Sequence, residues 1–354
     1  FHYDSMDILP QNQWEGWCNL AYGVTTTHDP SASTYEVFTL SEMIETGVTK
    51  GPRTYSTGFI LYGAGGAGRS VIEDLDDARQ HVRRMKREGA FSVKSYMQPR
   101  RDQRQWVITA AREESMLVVP EGGGQLETNL SMVLDGHTTI EHALPVTPIG
   151  DDVARLFGAS GTSETPTLLV AYGGISGENW FYQHYEVWQN EKLLRFYPRP
   201  RLDARSIRRP LMTIDGDWHH MAVAAGCARI LAAGGKVTLG AHGQLQGLGA
   251  HWELWGLTQG GISNLEALRC ATWNGAWTFG LDHELGSLEV GKLADVIVME
   301  KNPLEKIENT NTLEYVVKNG EVFDADTMDQ LWPVRRPCPK FGFQVWGPPL
   351  PSER

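Results

Sequence analysis

Cysteine is scarce in this sequence: the 354 residues hold 4, at Cys18, Cys227, Cys270 and Cys338. They lie far apart and form no Cys-x-x-Cys pair, which excludes a zinc knuckle and a dense disulfide scaffold. Positive charge is also short, with 32 Lys and Arg against 43 Asp and Glu and a net charge of −11. Nucleic-acid binding relies on a basic surface, so a nucleic-acid partner is not expected. No apolar run approaches the ~18 residues needed for a membrane-spanning helix. Neither an initiator methionine nor a signal peptide stands at Phe1-His-Tyr-Asp-Ser5, and the chain is expected to be the mature or processed part of a longer product.

What is present is a globular composition, 41% hydrophobic and 21% charged, sufficient for a sizeable core and unlike a disordered chain. From Gly23 onward short apolar runs alternate with helix-like segments, the pattern of a parallel α/β fold. The strand candidates are 23–28, 53–58, 91–96, 116–121, 138–143, 166–172 and 236–242. Leu75, Ala78, Val82 and Met85 keep helical spacing before Gly89. Asp102 reads as the cap of a helix running to about Ser115, and another helix covers 219–233 and stops at Gly234-Gly235. An eighth strand ending at or just before His2 would complete a TIM-type (β/α)8 barrel. Two further helices are expected over 253–260 and 264–280. The segments 293–299 and 315–323 then read as strands, with Asn319-Gly320 a type I′ turn signal. Three short strands are a poor sheet by themselves and need a partner surface.

Barrel active sites gather at the carboxyl ends of the strands, and the strands here end in His2, His28, Lys94, Glu121, His142 and His242. In Gly89-Ala-Phe-Ser-Val-Lys-Ser-Tyr96 strand alternation puts Phe91 and Val93 on one face and Ser92, Lys94 and Tyr96 on the other. A lysine on an inner face is costly to leave unpaired. It should meet an acid, an anion or a metal, or be carboxylated into a metal ligand; the plainer reading is an exposed strand-end lysine. Between the seventh strand and its helix, 173–213 is aromatic first and then rich in arginine, with Arg195, Arg199, Arg201, Arg205, Arg208 and Arg209. A segment this long is either a cover for a carboxylate-bearing substrate or a surface excursion packed on the barrel.

Three motifs resemble the metal-dependent amidohydrolase superfamily, in its imidazolonepropionase and prolidase-like branch, and most nearly bacterial amidohydrolases fused behind a TolB-like propeller. Gly23-Val-Thr-Thr-Thr-His-Asp29 is similar to the family's second strand and Thr139-Ile-Glu-His-Ala143 to its sixth. Leu285-Gly-Ser-Leu-Glu-Val-Gly-Lys-Leu-Ala-Asp-Val-Ile-Val298 is similar to the signature that returns the chain into a small β-sandwich. The resemblance implies a barrel over 1–284 lacking the start of its first strand, part of a composite β-sandwich over 285–325, and a tail over 326–354. The N-terminal half of that sandwich is missing, so a preceding polypeptide that either stays associated as a partner or was lost is implied. The relatives' secretion signals imply a periplasmic or secreted location.

By position, the resemblance makes Lys94 the carboxylated lysine and His142 the sixth-strand metal histidine. Glu121 stands where the family has a histidine, and His242 where it has an aspartate that binds metal and takes a proton from water. Both replacement types can hold zinc. The implied ligands are His2, Lys94, Glu121, His142 and His242 around one or two divalent ions, zinc foremost. If His242 is a ligand, Glu121 is the candidate base, and if His242 is the base it is not coordinated, since an imidazole bound to metal cannot take a proton through the same nitrogen. Tyr172, Trp180, Tyr182 and His184 are the candidate substrate contacts. The expected activity is hydrolysis of an amide or peptide bond, cyclic amides and dipeptide-like compounds included, in a small molecule or short peptide. The alternative is a non-catalytic barrel that binds a ligand or partner through a degenerate site. Self-association into a homo-oligomer is left open.

Overall fold

The computed structural model describes residues 8–62, 71–96, 98, 100–206, 213–214 and 216–346. Eight short parallel strands come first: β1 (Thr26–Asp29), β2 (Arg53–Ser56), β3 (Leu61–Tyr62), β4 (Ser92–Tyr96), β5 (Leu117–Pro120), β6 (Thr139–Glu141), β7 (Ser163–Thr165) and β8 (Lys236–Val237). They pair in chain order as β1-β2, β3-β4-β5 and β6-β7-β8. Single backbone bonds join these groups: Phe91 N–H to Ser56 O at 2.9 Å, Thr138 N–H to Val118 O at 2.9 Å, and Gly122 N–H to Glu141 O at 2.8 Å.

Helix Leu75–Arg87 buries Ala78, Val82 and Met85, and its N-cap Asp74 accepts from Asp77 N–H at 2.9 Å. These side chains share a core with Val93 of β4 and with Val107 and Ala111 of helix Arg101–Glu113. Asp102 is not the cap of that helix; Arg100 holds the cap position and Asp102 sits in the first turn. In β4 the residues Ser92, Val93, Lys94 and Ser95 are all buried, as expected of a parallel strand covered on both faces.

Two further expectations are corrected. The segment 166–172 is not a strand: β7 ends at Thr165, Thr167 takes a left-handed φ of 49°, and Leu168–Val170 forms a 3-10 turn. Pro166 has no N–H to give a ladder, and the amides of Leu168 and Leu169 are taken by Glu253. The stretch 264–280 is two helices, Asn264–Cys270 and Trp273–Thr278, because Thr272 leaves helical backbone at φ −130°, ψ −91°. The excursion after β7 is largely helical, with Glu178–His184, Glu191–Phe196 and Arg199–Ser206. Its Phe181, Leu193, Phe196 and Leu202 belong to the main core. Arg199 pairs with Asp203 at 2.7 Å, Arg201 lies over the Trp14 ring at 5.9 Å, and Arg195 donates to Asp326 O. These three arginines serve packing. Arg208 and Arg209 lie outside the described residues.

The C-terminal strands β9 (Val296–Met299), β10 (Leu313–Lys318), β11 (Glu321–Asp324) and β12 (Gln330–Trp332) form one antiparallel sheet in the order β12-β11-β10-β9. Asn319 and Gly320, at φ 50° and 79°, make the expected β10–β11 turn. The sheet finds its partner surface on the preceding part of the chain, where Leu313, Val316 and Phe323 enter the main core. Arg53–Asp295 at 2.9 Å and Lys50–Glu321 at 2.7 Å tie its edge to β2 and the loop before it. No helix of the described residues is long and apolar enough to cross a membrane, and all four cysteines are free. Phe323 is fully buried in the joint, so Phe323→Ala is expected to lower stability by about 3–5 kcal/mol, read as a drop in urea midpoint at unchanged slope.

Candidate active site

Polar side chains from β4, the β5 and β6 ends and the turn after β7 meet in one place. Lys94 is buried on β4, opposite Val119 of β5 in the ladder. Its Nζ donates to Glu121 Oε2 at 2.7 Å. The other carboxylate oxygen, Oε1, accepts from Tyr172 OH at 2.8 Å and lies 3.1 Å from His142 Nε2. Tyr172 and His142 stack, with ring centres 4.4 Å apart and planes 14° from parallel. The His242 ring lies 5.1 Å from that of His142.

Local sequence explains how Glu121 is held. It follows Pro120, the last residue of β5, and precedes Gly122-Gly123-Gly124. Gly122 runs against β6 so closely that a Cβ there would stand 2.5 Å from Glu141 O. Gly123 is pinned through both backbone groups by the fully buried Asn129, at 2.8 and 3.1 Å. His142 and His242 both adopt left-handed backbone, at φ 70° and 58°. Such strain persists only where surrounding structure enforces it and concentrates at functional sites.

The electrostatics follow from these contacts. Burial works to raise the carboxyl pKa of Glu121, but the His142 hydrogen bond and the Lys94 ammonium outweigh it and hold it well below the usual carboxylate range. Burial, then the charge of Glu121, push the Tyr172 phenol well above its ordinary value. The phenol therefore keeps its proton and donates it in a hydrogen bond.

The other expected residues are placed as follows. His2 lies outside the described residues. His28 bonds Ser92 Oγ through Nε2 at 2.7 Å and packs on Phe279 at 4.5 Å, so its neighbour on β4 is two residues before Lys94. Trp180 stacks on His184 at 4.1 Å, and Tyr182 is buried edge-on to Trp252 at 5.1 Å. The oxygens of Glu121 are instead occupied by Lys94, Tyr172 and His142. Sequence reasoning missed Asn129 and Glu253. The spacing Gly123 to Asn129 carried a faint signal for the first, whereas the second lies 85 residues from its partner Leu168.

As a metal site, the donors fit in kind. Glu121 and His142 are already in contact, and the buried His142 Nδ1 has no hydrogen-bond partner. Among the described residues no three His, Cys, Asp or Glu side chains are gathered closely enough to share one ion. Positive charge at the carboxylate is supplied by the Lys94 ammonium.

Fold and cluster together define a mixed α/β protein with a polar centre at the carboxyl ends of parallel strands. The chain belongs to the amidohydrolase family, whose model matches residues 20–323. Its fold is similar to a Xaa-Pro dipeptidase with methionine bound in the active site: the TM-score is 0.66 at 22% identity, over 88% of this chain and 77% of that one. Over 67 residues it is 36% identical to a 5-methylthioadenosine/S-adenosylhomocysteine deaminase of Thermoanaerobacter pseudethanolicus, covering 19% of this chain and 16% of that one. Over 97 residues it is 33% identical to the ochratoxinase of Aspergillus niger, covering 26% and 20%. The matched stretches thus span no more than 20% of these curated relatives' lengths.

Because its folded pKa is depressed, ionised Glu121 contributes stability that is complete above the unfolded value of about 4.3 and is lost as pH falls toward the depressed one. Lys94→Met removes one cause of the depression. Its acid-unfolding transition, followed by circular dichroism, is expected at higher pH than that of the parent; an unchanged transition would show that the pair is not felt.

Proposed function

We propose that this chain hydrolyses an amide or peptide C–N bond, with one or two divalent ions, zinc foremost, held at the Glu121 cluster. The observation that carries this reading is the convergence of Lys94, Glu121, His142 and Tyr172 in a chain of the amidohydrolase family. Glu121 and His142 would hold the ion, joined by His2 and by Lys94 as its carbamate. When bound, a divalent ion lowers the pKa of a water to about 7 and polarises a carbonyl. Lys94 can take up CO2 only as the neutral amine, releasing a proton as its N–C bond forms.

The chain's own groups divide the remaining work. Both oxygens of the Glu121 carboxylate are already engaged, by Lys94, Tyr172 and His142, and a carboxylate bound to an ion would be a poor proton acceptor. Glu121 therefore serves as an anion and anchor. His242 is left as the proton acceptor, and in that role it is not a ligand of the ion. Tyr172 retains its proton and offers a hydrogen bond. A substrate that is a small molecule or short peptide bearing a carboxylate belongs to the same proposal, as does a periplasmic or secreted location.

The barrel is part of this reading. Ser56 O and β3 lie along one edge of β4, so β2 and β3 act as one interrupted strand. That gives seven barrel positions over 1–284, with an eighth ending near His2. The C-terminal sheet would be part of a β-sandwich, and β12 carries it past 325. A second reading, a non-catalytic binder, is favoured by the Lys94–Glu121 contact itself, which ties up both groups.

The test is to supplement the purified chain with zinc or manganese, measure metal by mass spectrometry, and assay dipeptides and N-acyl amino acids. At least one ion per chain and measurable turnover are expected, with binding lost in His142→Ala and kcat about 10²–10⁴-fold lower in His242→Ala. Substoichiometric metal without turnover would leave the binder.

A further inference from the structure

One buried acid is not used by the proposed chemistry. Glu253 lies on helix Leu248–Gln259 with no exposed surface. Its Oε1 accepts from Leu168 N–H at 2.7 Å and its Oε2 from Leu169 N–H at 3.0 Å. Those amides open the 3-10 turn Leu168–Val170, entered through the left-handed Thr167. Burial pushes the Glu253 carboxyl up to about 8 against the opposing pull of the two amides. An acid kept at that expense of solvation needs a structural reason.

The helix face around it is cut to fit. Gly249 and Gly256 stand four residues before and three after Glu253, on one side of the helix. A Cβ at Gly256 would be 3.1 Å from Leu168 Cδ1, and one at Gly249 would be 3.6 Å from Leu169 Cδ1. A side chain at Gly256 would press on Leu168, while one at Gly249 would reach ordinary contact with Leu169. The turn's far side is fixed as well, by Gly177 N–H donating to Leu168 O at 3.0 Å. It then passes through buried Ala171 and delivers Tyr172 to Glu121 and His142.

We propose that Glu253 is a positioning residue for Tyr172: by holding both amides of the turn it sets the phenol against Glu121 and the His142 ring. Its catalytic consequence rests on the hydrolase reading above; the placement of Tyr172 does not. The experiment therefore has a readout that is independent of turnover. In protein labelled with 3-fluorotyrosine, the fluorine resonance missing from Tyr172→Phe identifies Tyr172. In Glu253→Ala that resonance is expected to move, as the turn that seats the phenol against Glu121 and the His142 ring is released. Glu253→Gln keeps the shape and one acceptor oxygen, and is expected to lie between the two. It carries the test should the alanine variant not fold.

With a substrate in hand, Glu253→Gln should lower kcat with little change in KM, and have no further effect in a Tyr172→Phe background. An unmoved Tyr172 resonance in both variants, or fully additive kinetics, would overturn the assignment. If no substrate is turned over by the parent, the hydrolase reading fails while the fluorine spectrum still decides the role of Glu253.

Discussion

The contact between Lys94 and Glu121 is the constraint on which the polar centre depends. A buried ammonium and a buried carboxylate are each costly alone, and removing one strands the other. Their 2.7 Å approach requires β4 and β5 to lie in register and the residue after Pro120 to turn inward. The close passage of Gly122 against β6 and the hold of Asn129 on Gly123 achieve that turn. His142 and Tyr172 then complete the hydrogen bonding of the second oxygen. The carboxylate has a donor on each side.

The same pair has two charge states open to it. As an ammonium, Lys94 neutralises Glu121. As a carbamate it would place a second anion beside the carboxylate, and two anions in a buried site repel unless a cation comes between them. On the proposed reading, carboxylation of Lys94 and arrival of a divalent ion are therefore linked events. The separation of Lys94 from Glu121 is the structural sign of both. The left-handed His142 and His242 stand beside this pair with their rings 5.1 Å apart.

Much of the frame could be read in the residues. Strand alternation sets Lys94 apart from Val93, the spacing of Ala78, Val82 and Met85 marks a helix, and Asn319-Gly320 marks the hairpin. The same alternation leaves an acid, an anion, a metal or carboxylation open for an inward Lys94, and the structure seats it on the acid Glu121. What failed was what depends on distant partners. Leu168-Leu169-Val170 has the composition of a buried strand, and the remote carboxylate of Glu253, with Pro166 and the left-handed Thr167, holds it as a turn. Phe181 and Tyr182 have the composition of a substrate cover, yet pack on Trp252. Aromatic residues fill cores and line sites equally well, so composition does not separate the two uses.

The most direct test of the account is a crystal structure of the zinc-supplemented protein grown with bicarbonate, with diffraction recorded across the zinc absorption edge. The account requires an anomalous peak in ligand contact with Glu121 and His142, and Lys94 withdrawn from the carboxylate as its carbamate. Lys94 still seated on Glu121, with no peak between the strand ends, would contradict it.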